Sequence, residues 1–235
     1  MFRDITAPYH FLESWFYDRA VAPAIAEMLD ERREILGPVL DAMSAVGRLL
    51  DVGCGGGHLL VSLSRSHPGW MMTGLDLSPD QVRRARKRTN GPGGQMSFIS
   101  GSALDMPLDA DSFDAVISVC SIKHWPQPAR GLEECIRVLR PGGALMVIEV
   151  NRDCRREDGR AFVRRQKVPR FLKPAAMAGF RWKIAARSLS IHDAKPLFSA
   201  LQLSDITASA LPGMPLWMVT ARKRISRNET EVGRA

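Results

Sequence analysis

The sequence has no long hydrophobic run. No stretch of the 235 residues reaches the roughly 18 consecutive apolar residues of a membrane-spanning helix, so we expect no membrane span. The first ten residues, MFRDITAPYH, carry an acidic residue where a secretory signal is basic, and no apolar segment follows them. We therefore expect a cytoplasmic protein.

Cysteine is also scarce. The chain has four cysteines, at positions 54, 120, 135 and 154, and no two of them form a C-x-x-C pair. Such pairs are typical of structural zinc sites and of redox-active dithiols. We expect four reduced thiols, no disulfide and no metal site.

Acidic residues are few in one part of the chain. The protein carries 33 Lys and Arg against 25 Asp and Glu, a net charge of +8. Residues 152–187 hold twelve of the basic residues and only three of the acidic ones, so this basic segment alone has a net charge of +9. The rest of the chain is close to neutral, and the basicity is therefore local.

From residue 48 onward, short apolar runs alternate with helical stretches. This alternation predicts an α/β fold with a parallel sheet covered on both faces. Only residues 211–215 separate the last two runs, so these should pair as an antiparallel hairpin. The predicted strands are 49–52, 70–75, 96–99, 115–119, 144–150, 206–210 and 216–221, and the predicted helices between them are 57–66, 79–88, 130–139 and 193–201.

The chain length is typical of one domain. Its predicted organisation is an N-terminal helical cap, a central core, a basic insertion that resembles a lid, the completion of the core and a flexible tail. The respective bounds are 1–47, 48–150, 151–190, 191–223 and 224–235.

The most informative stretch is LLDVGCGGG, residues 49–57, in which an apolar strand ends on an acid and runs into glycines spaced G-x-G-x-G. Glycines allow a tight turn and a close approach of the backbone to a ligand. Asp76 ends the next strand, where a carboxylate can accept both hydroxyls of a ribose. A dinucleotide-binding loop would have a third glycine at position 58, but the chain has His58 there. Asp51 beside the loop suits an ammonium group and would repel a pyrophosphate.

These residues resemble the class I S-adenosylmethionine-dependent methyltransferases, and among them the ubiquinone/menaquinone-biosynthesis-like group (methyltransferase type 11). The resemblance covers about residues 48–150 in five blocks. It implies a Rossmann-like, doubly wound, mostly parallel seven-stranded sheet with a C-terminal antiparallel hairpin, and S-adenosylmethionine as the cofactor. The blocks are LLDVGCGGG, GLDLS, GSALDMPL, SFDAV and ECIRVLRPGG.

The resemblance also implies the residues that bind the cofactor. Those on the methionine side are Asp51 near the ammonium, Gly53 and Gly55 under the methionine, and Cys54, Gly57 and Cys120 close by. Those on the nucleoside side are Asp76 at the ribose, Leu77 against the adenine, and Ser102 and Ala103 at the adenine edge. Relatives commonly have Asp where Ser102 stands, so a side-chain contact to the adenine amino group is not implied here.

The acceptor is expected beyond the fourth strand, where this family opens its second pocket. His124 is the candidate general base there, and its simpler interpretation is a histidine that helps to shape the pocket wall. Trp125 follows it. The aromatic cluster near the N-terminus first suggests a packed helix face, and its functional interpretation is a lid in which Trp15 and Tyr17 border the acceptor.

We therefore predict methyl transfer to an O, C or N nucleophile of a small molecule, possibly aromatic or lipid-like. The alternatives are an RNA methyltransferase, a non-catalytic scaffold of the same fold and a nicotinamide oxidoreductase, which His58 argues against. The basic segment is predicted to be an acceptor-binding lid that meets an anionic ligand, a membrane surface or RNA, and its alternative interpretation is a solvated face. The sequence does not predict an oligomeric state.

Overall fold

A seven-stranded sheet forms the centre of the protein. The computed structural model describes residues 17–40, 43, 46–89 and 95–225. The strand order is β3-β2-β1-β4-β5-β7-β6, with the first five strands parallel and β7 antiparallel to both of its neighbours. The strands are β1 (Arg48–Val52), β2 (Met71–Asp76), β3 (Met96–Ser100), β4 (Phe113–Val119), β5 (Leu139–Val150), β6 (Leu203–Ala210) and β7 (Leu216–Lys223). The predicted fold class, including the terminal hairpin, is confirmed.

Helices surround this sheet, and short 3-10 or π-helical turns extend several of them. Ser78 and Ser190 cap α4 and α8, each accepting a hydrogen bond from the backbone N–H three residues on. No helix in the described ranges is long and apolar enough to cross a membrane. The helices are α1 (Ala22–Glu31), α2 (Gly37–Leu40), α3 (His58–Ser66), α4 (Pro79–Arg88), α5 (Pro128–Val138), α6 (Arg156–Arg165), α7 (Lys173–Gly179) and α8 (Ile191–Ser199).

Both faces of the sheet are buried. Successive residues of a strand point to opposite faces, and the buried residues divide accordingly. Leu49 and Ile148 pack in a core with α1, α3 and α6, whereas Leu50 and Val147 pack in a second core with α5 and α8. The continuous apolar runs that predicted a doubly covered sheet have this origin.

Several predicted boundaries are wrong. The fourth strand begins at Phe113 rather than at residue 115, and α5 begins at Pro128 rather than at residue 130. Three others are wrong for identifiable reasons. β5 begins at Leu139 rather than at residue 144, because the Pro141-Gly142-Gly143 run stays in the strand and its pairing with β4 shifts register there. β6 begins at Leu203 rather than at residue 206, with a similar irregularity. α8 begins at Ile191 because Ser190 and Asp193 form a capping box, which makes Asp193 the third helical residue and not the first.

Candidate active site

The carboxyl ends of β1, β2 and β4 meet at one edge of the sheet. The three strands are parallel neighbours in register, with Val52 opposite Leu75 and Asp51 opposite Ile117. The loops that leave them, 53–57, 77–78 and 120–127, therefore gather at the same edge. In an open α/β sheet this edge is where ligands bind.

The glycine loop is tied to β2 through its backbone. The N–H groups of Gly53 and Cys54 both donate to the Leu75 carbonyl, at 2.7 and 3.0 Å. Gly53 has a φ of +79°, and a Cβ on it would lie 1.9 Å from the Ser121 hydroxyl oxygen. Any side chain at Gly53 would therefore require both a strained backbone and a displaced neighbour.

Asp76 is held by two backbone donors. Its Oδ2 accepts the N–H of Gly55 at 2.8 Å and its Oδ1 accepts the N–H of Ser78 at 2.9 Å. Burial raises the pKa of Asp76, and these two hydrogen bonds oppose the rise. Each oxygen keeps a lone pair for another donor, as binding to ribose hydroxyls would require. Leu77 beside it is 48% exposed and offers an apolar surface at this edge.

Asp51 is the most unusual residue at the site. Its side chain is only 3% exposed and has no hydrogen bond or ion pair to any residue in the described ranges. Burial raises its pKa to about 7, with a further contribution from the charge of Asp76. A buried carboxylate without a partner is costly, and a cationic ligand would remove most of that cost. The residues present therefore fit a ligand whose ammonium lies beside Asp51.

The loop after β3 is fixed by a different set of contacts. The Ser102 hydroxyl accepts the N–H of Leu104 at 3.1 Å, so it serves a local turn. Glu134 of α5 accepts the N–H of Met106 at 2.8 Å, and Arg137 binds the carbonyls of this loop. Ala103 lies at the tip of the turn, half-buried, where its backbone remains available to a ligand.

An ionic cluster over the glycine loop was missed by the sequence reasoning. Asp18 is 6% exposed and accepts hydrogen bonds from His58 Nε2 at 3.1 Å and from Arg88 Nη2 at 3.0 Å. Arg88 also donates to the Gly56 carbonyl. Burial would raise the pKa of Asp18, but these donors outweigh it and the net shift is downward. The cluster binds the N-terminal part of the chain to the loop, and no local motif marks it.

Tyr17 begins this N-terminal turn and lies directly above the loop. Its Cε1 would be 3.9 Å from a Cβ on Gly55, which places the ring against the glycine loop. Its role at the acceptor stays a prediction. Trp15, the second aromatic residue predicted there, lies outside the described residues.

Cys120 follows β4 with a φ of +56°, and its N–H donates to the Ile148 carbonyl at 2.7 Å. Burial raises its pKa to about 12, despite the nearby charge of Lys123. Burial also raises the pKa of Cys54 well above its usual value. Both thiols are therefore protonated at neutral pH and are not nucleophiles; they serve as small apolar contacts.

His124 ends a 3-10 turn, Ile122–His124, beyond β4. Burial lowers its pKa to about 3, and the positive charges of Lys123 and Arg187 lower it further in the same direction. The imidazole is therefore neutral at physiological pH and able to accept a hydrogen bond. Arg187 belongs to the basic segment, so this segment comes near His124.

Beneath His124 lies a second unforeseen feature, a buried ion pair. Lys123 Nζ is 2.8 Å from Glu149 Oε1, with the two side chains 8% and 0% exposed. Lys123 Nζ also donates to the Cys120 carbonyl at 2.7 Å, and Glu149 accepts the N–H of Val150 at 2.7 Å. The signal that could have revealed it is a glutamate inside the apolar run ALMVIEV.

Trp125 is placed away from solvent. Its indole N–H donates to the Ser121 hydroxyl at 3.0 Å, and its ring packs where a Cβ on Gly131 of α5 would stand. Those contacts hold Ser121 against the glycine loop. Its predicted contact with the acceptor stays a prediction.

Comparison with known proteins agrees with this geometry. Residues 50–147 match the family model described as a methyltransferase domain. The chain is 36% identical over 140 residues to a 2-methyl-6-phytyl-1,4-hydroquinone methyltransferase of Oryza sativa subsp. japonica, which covers 60% of this chain and 39% of that protein. It is 38% identical over 109 residues to a ubiquinone biosynthesis O-methyltransferase of Xanthomonas axonopodis pv. citri, covering 46% of this chain and 45% of that protein. The chain thus spans less than half the length of these relatives.

Solved structures share the fold at low sequence identity. A SAM-dependent methyltransferase from Aquifex aeolicus matches with a TM-score of 0.58 and 19% identity, over 85% of this chain and 97% of that one. The cyclase SpnF matches with a TM-score of 0.60 and 20% identity, over 84% and 81%. The fold alone therefore does not define the reaction. The interpretation of this chain as a methyltransferase rests on the family match. Residues 50–147 of this chain therefore match a methyltransferase domain, which agrees with the S-adenosylmethionine cofactor that the sequence predicts.

Proposed function

We propose that this protein transfers a methyl group from S-adenosylmethionine to a phenol or hydroquinone ring that carries an apolar tail. The observation that carries the proposal is the place of His124, a half-buried, neutral imidazole that ends the 3-10 turn Ile122–His124 just beyond β4, at the sheet edge where Asp51 and Asp76 lie. A neutral imidazole at this place can form a hydrogen bond with the hydroxyl of a ring acceptor. The names of the rice and Xanthomonas relatives, which specify a prenylated hydroquinone and ubiquinone biosynthesis, support the same substrate class.

The residues of the chain divide the work between the two ligands. S-adenosylmethionine supplies an electrophilic methyl group when it is bound. Asp51 would hold its ammonium and Asp76 its ribose hydroxyls, while the loop at Gly53 lies close enough for backbone contact. Transfer then needs the acceptor atom at about 3–3.5 Å from the methyl carbon with water excluded. Tyr17 and the Asp18 cluster would cover the cofactor from the N-terminal side.

The acceptor class is testable with labelled S-adenosylmethionine and three ring compounds. We expect label in a prenylated hydroquinone, a KM about tenfold higher for the same ring without its tail, and no transfer to the dimethyl ether of that ring. The ether keeps the shape of the acceptor but cannot ionise. Label in RNA or in an aliphatic amine, with none in the hydroquinone, would contradict the proposed acceptor. If no compound is labelled, calorimetry with S-adenosylhomocysteine identifies a non-catalytic scaffold, which would bind this product of the cofactor without turnover.

The sequence predicts His124 as a general base, but an imidazole whose pKa burial lowers to about 3 is a weak base, so we propose that it fixes the ring oxygen through a hydrogen bond. If it accepts the proton, His124→Ala and His124→Gln should both lower kcat about 100-fold, because neither replacement is a base, with cofactor affinity little changed. If it only orients the oxygen, the Gln variant should retain most of the activity. A loss of less than about threefold in both variants would make His124 part of the pocket wall.

A further inference from the structure

The basic segment contains a helix with two apolar faces. Residues 170–187 are helical without interruption, from the 3-10 turn Arg170–Leu172 through α7 and the π-helical turn Phe180–Ile184 to Ala185–Arg187. Its inner face is packed in the core, where Phe180 lies against Phe162 with ring centroids 5.6 Å apart. Its outer face, defined here as Phe171, Ala175, Ala178 and Trp182, repeats at i, i+4, i+7 and i+11 and is exposed throughout.

The outer face carries two large aromatic side chains in water. Phe171 is 80% exposed and Trp182 is 79% exposed. Every other Phe, Tyr or Trp in the described ranges is buried or half-buried. Nothing in the packing of the helix requires aromatic residues at these positions, because Phe180 and Met177 already fill the inner face. An exposed apolar patch of this kind marks an interaction site.

Most of the twelve basic residues of the segment form no ion pair with the described part of the chain. Arg152, Arg155, Arg165 and Lys167 have carboxylate partners, and Lys173 binds carbonyls at the end of α6. The other seven basic residues of the segment are exposed and have no ion pair within the part of the chain that the structure describes. They are Arg156, Arg160, Arg164, Arg170, Arg181, Lys183 and Arg187. Arg170, Arg181 and Lys183 adjoin the two exposed aromatic residues in sequence.

We propose that the outer face docks on an anionic lipid bilayer. Trp and Phe would enter the headgroup region while Arg170, Arg181 and Lys183 contact lipid phosphates, the arrangement of an interfacial amphipathic helix. Its binding energy combines apolar burial with attraction to anionic charge, and the outer face offers both on one surface. RNA is the weaker fit, because Ala175 and Ala178 between the aromatic residues give bases nothing to stack on or bind.

This placement has a consequence for the acceptor. The inner face of the same helix packs through Phe180 and Ala185 in the core that also contains Cys120 at the end of β4, so the docked helix leads from the bilayer surface towards the acceptor side of the site. A tailed acceptor would then reach the site without leaving the lipid. This last step rests on the proposed function; the docking itself does not, because it is measured without cofactor or acceptor.

Vesicle sedimentation tests the docking with the full chain. The probes are vesicles of phosphatidylcholine alone and of phosphatidylcholine with phosphatidylglycerol. We expect strong binding only to the anionic vesicles, weakened at least tenfold by Phe171→Ser with Trp182→Ser and about 100-fold by the triple change of Arg170, Arg181 and Lys183 to Glu. Because all five side chains are exposed or at the surface, thermal unfolding should be unchanged.

Two control variants test whether vesicle binding depends on the outer face itself or only on the net charge and exposed apolar surface of the whole protein. Changing Arg65, Lys87 and Lys195 to Glu alters the net charge equally on other helices, and Met71→Ser with Ile206→Ser removes exposed apolar residues from the sheet. Both controls should bind anionic vesicles as the unchanged protein does. The proposal is overturned if the controls lose binding as strongly as the outer-face variants, if no vesicle binds, or if single-stranded RNA binds and vesicles do not.

Discussion

Replacing Asp51 with Asn should stabilise the cofactor-free protein at pH 7.5 and at the same time weaken S-adenosylmethionine binding about 100-fold. The first effect follows from the pKa of Asp51, which burial and Asp76 raise to about 7 from the ordinary 3.8. Below pH 3.8 the carboxyl is mostly neutral in both the folded and the unfolded protein, so it does not lower the stability. As the pH rises from 3.8 to 7 the unfolded chain ionises first, so the free energy of unfolding falls, on the order of 4 kcal/mol in total. An uncharged Asn avoids this loss.

The second effect follows from what the ammonium needs. The ionised form of Asp51 binds it, so cofactor affinity in the unchanged protein should be roughly tenfold weaker at pH 6 than at pH 7.5. The Asn variant should lose this dependence together with the affinity. Calorimetry across that range, with urea unfolding at each pH, measures both, and Asp109→Asn is the control because Asp109 is exposed. Unchanged cofactor affinity in the Asn variant would remove Asp51 from the ammonium site.

Glu149→Leu should destabilise the protein by about 3–5 kcal/mol, because it leaves the Lys123 ammonium buried opposite an apolar side chain. The double change, Lys123→Met with Glu149→Leu, should recover most of this loss, since it removes both charges together. The ion pair therefore contributes little net stability, but the loss of either side chain alone leaves the other charge buried without its partner. Its structural task is to hold the backbone at Cys120, whose carbonyl Lys123 binds.

Urea denaturation of the two single variants and the double variant measures this coupling. Glu133→Leu is a suitable control, because Glu133 is 55% exposed and its ion pair with Arg130 is long, at 3.8 Å. Its loss should change the free energy of unfolding by less than about 1 kcal/mol. Equal losses in the single Glu149→Leu variant and in the double variant would show that packing rather than the unpaired charge determines the effect.

The features that could be predicted from the sequence are the strands and the glycine loop, because each depends on a pattern of neighbouring residues. Apolar runs separated by helical stretches gave the strands of a doubly covered sheet, and the acid-glycine stretch at residues 51–57 located the ligand edge. The strand ends were harder. Pro141-Gly142-Gly143 is typical of a loop, and it forms a bulge inside β5 between Leu139 and Ala144, the residues that pair with β4 on either side of it. The sequence pattern does not show that the strand continues across such a bulge.

The parts that were not predictable depend on partners far apart in the chain. Asp18 meets Arg88 across 70 residues, and Lys123 meets Glu149 across 26. No spacing rule links such residues. Glu149, a charged residue inside an apolar run, gives a signal in the sequence, whereas Asp18 gives none. The basic segment shows the same limit. Periodicity does not say which of two apolar faces of a helix is buried, and here Phe171 and Trp182 lie on the exposed one.

The place of β7 affects how the chain is made on the ribosome. β7 lies between β5 and β6, although both precede it in the chain, and residues 144–150 of β5 pair with residues 216–222 of β7. When β1 to β5 have emerged, the cofactor side of the sheet can assemble, but β5 remains an open edge until about 70 more residues have been synthesised. An apolar edge strand in that state pairs readily with another chain. A nascent chain halted before Leu216 would therefore be prone to aggregation even though its cofactor loop is complete.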